Sequence, residues 1–129
     1  MGLVTITGTL ATDETTARSA TTSFVLDVVN FTDTTQPVGT SYELLSGVTD
    51  SGSQYMWTVV ENTGAQEAVV RVNTDGTNYI FLPLPGYAVL LIPAALTPNL
   101  VTAPVAVSDI RARALTGSSI LRVIALFVA

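Results

Sequence analysis

Asp27, Asp33, Asp50 and Asp75 are the residues whose chemistry is tested first. A pair of carboxylates at the right separation moves protons in glycoside hydrolysis, and a cluster of them supplies the about six to eight oxygens that calcium takes. Asp50 and Asp75 stand in the turn-forming stretches VTDSGS and NTDGTN, with no DxDxDG-type loop around them. Asp is favoured in such turns because its side chain bonds to nearby backbone. The chain has neither Cys nor His, which removes thiolate nucleophiles, Ser-His triads and zinc sites built on imidazole or sulfur. We therefore expect a non-enzymatic protein with no catalytic residue, metal ligand or cofactor.

Three other groups could make contacts. Asp109, Arg111 and Arg113 alternate along a strand opposite Ala112 and Ala114. Such a stripe docks carboxylates or a partner subunit through guanidinium forks, or is a solvated face carrying a salt bridge worth under about 1 kcal/mol. Tyr55 with Trp57, and Tyr79 with Phe81, share strand faces. Together with Tyr87 they suit either a sugar-stacking platform or a core; the glycan-binding alternative rests on Tyr55, Trp57 and Tyr79. The run ILRVIALFVA is apolar on both faces, with Leu121, Val123 and Phe127 on one and Ile124, Leu126 and Val128 on the other. It reads as a central strand or as part of a subunit interface. The expected contact residues are Arg111, Arg113, Leu126, Phe127 and Val128, together with a mobile arm over 11–23.

Composition sharpens the interface reading. Of 129 residues 48% are hydrophobic and 12% charged, against roughly 25% charged in an average soluble chain. A folded monomer of this mass exposes roughly 6,500 Å², more than its few ionised groups can cover, so hydroxyls, amides or neighbouring molecules must cover the rest. Lys is absent, the net charge is −5, and all five cations are Arg. That balance argues against nucleic acid, whose binding draws on many cations. No run reaches the roughly 20 apolar residues of a membrane span, and the start MGLVTITG lacks a signal-peptide pattern. Synthesis and folding in a cytoplasm are expected.

The elements that must position these groups are strands. Twenty threonines favour β structure, because β-branched side chains sit well on a pleated surface and poorly in helices. Leu3–Leu10 alternates with period two, 24–31 is apolar on both faces, and DTTQPVG reads as a turn. Strands are expected over 42–45, 54–61, 67–72, 78–82 and 87–92, with Pro83, Pro85 and Gly86 breaking the ladder between the last two, which are expected to form a hairpin. Residues 93–104, with three prolines, read as an irregular crossover, and 105–115 with 119–128 as a closing hairpin around Thr116-Gly117-Ser118. The expected architecture is one all-β domain, an antiparallel, jelly-roll-like β-sandwich of about eight or nine strands.

Residues 61–128 carry a resemblance. A strand ending in ENTG, then VRVNTDGTNYIFLPLPGYAVLLIP, then IRARALTGSSILRVIALFV, is similar to the layout of small virion structural proteins of tailed bacteriophages. That layout has a polar NTD-x-TNY turn, a proline/glycine corner before a buried strand, an alanine-rich strand, a T-G-S turn and an apolar last strand. FLPLPG departs from it by an extra proline. The resemblance implies a capsid decoration, cement, neck or minor capsid subunit in the virion. Its expected partners are copies of itself, a trimer first, and the major capsid or another virion protein, with neither nucleic acid nor membrane.

Overall fold

A computed structural model describes residues 2–11, 19–46, 55–73, 79–96, 105–107 and 109–128. Among these there is no helix, and eleven strands follow one another: β1 (Gly2–Ala11), β2 (Ser19–Val38), β3 (Glu43–Leu44), β4 (Tyr55–Asn62), β5 (Ala68–Asn73), β6 (Tyr79–Leu84), β7 (Val89–Ile92), β8 (Ala95–Leu96), β9 (Val105–Ala106), β10 (Asp109–Ala114) and β11 (Ser119–Val128). Sheet A has the order β1-β2-β11-β4-β7 and sheet B the order β3-β10-β5-β6, while β8 and β9 pair apart. Without β1, β8 and β9, eight strands remain. In chain order, the first, eighth, third and sixth make one sheet and the second, seventh, fourth and fifth the other. This matches the order of a jelly roll, two Greek keys wound together.

Period-two patterning decides which face each strand buries. In sheet B the rows Ile110–Val72–Ile80, Ala112–Val70–Leu82 and Ala114–Ala68–Leu84 lie inward. In sheet A, Leu121, Val123, Ala125 and Phe127 of β11 do the same beside Val60 and Ile92. Side chains from both sheets form one buried cluster. Each fully buried Val, Leu or Ile there contributes roughly 1.5–3 kcal/mol over leaving it in water.

Polar clamps close one corner of the sandwich. Buried Asn62 donates from Nδ2 to the carbonyls of Gln66 (2.6 Å) and Leu84 (3.2 Å) and accepts from the Gly64 N–H (3.2 Å). The Tyr87 N–H donates to the Gly64 carbonyl at 3.0 Å, with Tyr87 at φ 62°. Gly86 lies so close that a Cβ would meet the Ala65 carbonyl oxygen at 2.6 Å. That close approach, rather than a turn conformation, is what glycine serves here.

Four expectations change. The polar arm over 11–23 is strand at both its ends, because β1 reaches Ala11 and β2 starts at Ser19, while 12–18 lie outside the described residues. DTTQPVG is not a turn at its start, since β2 continues to Val38. β1 pairs only with residues 19–28 of β2, so beyond that point β2 has a free edge where Pro37 costs no ladder bond. Pro83 likewise lies inside β6, at the edge of sheet B. Of the expected pairings, 67–72 with 78–82 across the Asp75-Gly76 dipeptide forms, as β5 with β6, but β7 pairs with β4 rather than with β6, and β10 and β11 lie in different sheets. The turn residues after β6 and β10 were read correctly, but they reverse the chain from one sheet to the other. The Asp75-Gly76 turn lies outside the described residues.

Candidate functional site

Sheet A turns an apolar face outward. On β11 the outward positions are Ile120, Arg122, Ile124, Leu126 and Val128. Register places Leu126 between Phe31 of β2 and Trp57 of β4, Ile124 between Asp33 and Val59, and Leu91 of β7 beyond Val59. Phe31, Ile120 and Val89 are more than half or about half exposed, and Trp57, Val59, Leu91, Ile124 and Val128 are half-buried. The charged groups on this face are Arg122, Asp33 and Glu61. Arg122 grips Asp33 with both ends of its fork, Nε to Oδ1 at 3.0 Å and Nη2 to Oδ2 at 2.7 Å. These hydrogen bonds hold the Asp33 carboxyl below its ordinary range and raise the already high Arg122 value. The pair is thus neutralised within the sheet.

Sheet B presents the opposite chemistry. Arg71, Arg111 and Arg113, three of the chain's five cations, share its outer face with Tyr79 and Phe81. Arg111 stands directly opposite Arg71 across β10 and β5, an arrangement that costs energy between like charges. Aromatic rings offset part of this. The Arg71 guanidinium lies 4.7 Å from the Tyr42 ring and 4.4 Å from the Tyr79 ring, and Arg113 is 5.5 Å from Tyr42. Attraction to ring faces is worth roughly 0.5–2 kcal/mol. Arg111 Nε donates to Asp109 Oδ2 at 3.1 Å. Arg71 Nε and Asp109 Oδ1 are buried without a hydrogen-bond partner among the described residues.

The expected residues divide between these faces. Arg111 and Arg113 do share one face, as their spacing indicates. Leu126 and Phe127 are already buried within the chain, Leu126 under the outer face of sheet A and Phe127 in the core. On that face it is Phe31, Ile120 and Val89 that stand exposed. Val128 is half-buried on the outer face.

Tyr55, Trp57 and Tyr79 do not form one platform, because β4 belongs to sheet A and β6 to sheet B. Tyr79 instead stands beside Phe81, ring centres 6.3 Å apart, with Tyr42 6.1 Å from Phe81. Asp27 is exposed on β2 and Asp33 is held by Arg122, while Asp50 and Asp75 lie outside the described residues. Among the described residues no three Asp or Glu side chains gather where they could hold a metal ion.

Phe31, Val59, Val89, Leu91 and Ile120 went unremarked as contact candidates in the sequence. Their signal was period two in strands apolar on both faces, but the patch joins four strands far apart in the chain. Compared with known family models, curated proteins and solved structures, the chain matches none. Among the described residues no helix is long and apolar enough to cross a membrane.

Proposed function

We propose that this chain is a non-enzymatic virion structural subunit, a capsid decoration or cement protein or a minor capsid or neck component, that assembles through the outer surfaces of its β-sandwich. The observation that carries the reading is the outward face of sheet A, where Ile124, Val59 and Leu91 stand in one row, Phe31, Leu126 and Trp57 in the next, and the Arg122–Asp33 ion pair satisfies itself. An apolar patch of this kind on a protein marks a contact surface. A standard interface hides roughly 800 Å² per partner, enough to account for much of the missing charge. The jelly-roll order supports the virion assignment, since capsid domains use it, although lectin domains do too. Light scattering on the eluting protein at micromolar concentration should give a multiple of 13.5 kDa, a trimer first. Mass spectrometry of gradient-purified virions from the source culture should find the chain at constant stoichiometry. A steady monomer absent from particles would overturn the proposal.

A second reading is favoured by sheet B, where exposed Tyr79 and Phe81 flank Arg71. Rings that stack on a sugar next to a guanidinium that takes a carboxylate suit an acidic glycan. A glycan array whose acidic hits disappear with Phe81→Ala supports it, and an array without hits removes it.

A further inference from the structure

β2 is twenty residues long, about 66 Å at the usual rise, whereas most strands have roughly three to ten. Its two halves serve different partners: residues 28–38 pair with β11 and residues 19–28 with β1, the two ladders meeting only at Val28. β1 packs against β2 and makes no comparable contact with another strand. The first half of β2 and all of β1 thus form a two-stranded ribbon continuing past the sandwich. Leu3 is 74% and Val25 54% exposed on one side of it, and Val4, Ile6 and Leu26 are half-buried on the other. A two-stranded ribbon is at best marginally stable alone in water.

The outer edge of β1 is open among the described residues, because β1 ends the order of sheet A. Exposed edges are ordinarily blunted by Lys, Pro or inward charges. GLVTITGTLA has no charged residue and no proline over its ten positions.

We infer that β1 pairs edge to edge, antiparallel, with β1 of a second copy of this chain. The choice of a second copy rests on charge and on face. The chain as a whole carries −5, and copies meeting through this uncharged segment set no like charges opposite each other. A charged partner strand would find nothing on β1 to pair with. A two-fold axis perpendicular to the sheet keeps every side chain on its own face, so Val4 and Ile6 of both copies line one continuous apolar strip. Registers that pair residues of like parity, such as Thr5 opposite Thr7 with Ile6 on the axis, satisfy this condition.

The inference rests on the reading that the chain self-associates, and it specifies one contact through which it does so. Because the chain has no cysteine, the test uses single-cysteine variants Val4→Cys, Thr5→Cys, Ile6→Cys and Thr7→Cys of the full chain, with exposed Ser118→Cys as control. Under mild oxidation, the variant nearest the axis should form a disulfide dimer at least about tenfold faster than the control, since held proximity replaces random collision. Its neighbours should be progressively slower, because each residue away from the axis moves the two copies of that position about 7 Å further apart along the strands. Equal rates at all five positions overturn the inference. If the variants then still scatter light as oligomers, the assembly reading stands without it; if they are monomers at every concentration, both fall.

Discussion

Replacing Phe31 with Thr isolates what the outer face of sheet A contributes to association. Thr keeps strand propensity, and Phe31 is 54% exposed in the single chain. A Phe side chain buries about 200 Å², so the exposed part is roughly 110 Å² and at about 25 cal/mol per Å² yields at most about 2.7 kcal/mol when a neighbour covers it. Thr recovers some of that area, so association should weaken by about 10- to 85-fold, 1.4 kcal/mol being one decade. The packed half of the ring is also lost, costing the monomer about 1–2 kcal/mol out of a typical 5–15, so the variant remains folded. Sedimentation equilibrium over a concentration series gives the association constant, and far-ultraviolet circular dichroism checks the fold. Unchanged association of a folded variant would refute the reasoning, because the ring would then face solvent in every state.

Further predictions concern the scaffold that holds the faces. Asn62→Leu removes the acceptor of the Gly64 N–H and the donor to the carbonyls of Gln66 and Leu84, and should cost about 3 kcal/mol in urea unfolding; a loss under about 1 kcal/mol would contradict the clamp. Gly86→Ala drives a methyl into the Ala65 backbone and should cost about 1–3 kcal/mol, read as a lowered melting temperature. Thr58 is fully buried with a hydroxyl that has no partner among the described residues, so Thr58→Val should stabilise by about 1 kcal/mol; a loss in urea unfolding would show that the hydroxyl is bonded. Asp33 titrates below its ordinary value in the folded chain. Its contribution is therefore present above the unfolded range near about pH 4 and is lost as pH falls through the lowered folded value. The stability difference between wild type and Asp33→Asn should be flat from about pH 5 to 8 and shrink toward pH 2, and a difference that grows on acidification would reverse the assignment.

The sequence made legible what depends on alternation within one strand. β11 was bounded at Ser119 and Val128 and its two faces sorted correctly, because successive side chains of a strand point to opposite faces whatever their polarity. Arg111 and Arg113 were placed on one face by the same periodicity. What depends on pairing was hidden. Pro37 and Pro83 looked like strand breakers, and only the strand order reveals that each stands at an edge where its missing N–H is harmless. ATDETTARSATTS looked like a loop because Thr and Ser are polar, yet its later part is β-branched and pairs with β1. Gly117, at φ 66°, announces a tight turn but says nothing about whether the following strand stays in the same sheet. The contact faces were obscured for the same reason: Phe31, Leu126 and Trp57 become neighbours only through the register of β2, β11 and β4.

The most direct test is the mass of the purified wild-type chain in solution, measured by sedimentation equilibrium from low to high micromolar concentration. The account predicts a concentration-dependent rise to a defined multiple of 13.5 kDa, weakened by Phe31→Thr. A mass that stays at the single-chain value across the range would contradict it.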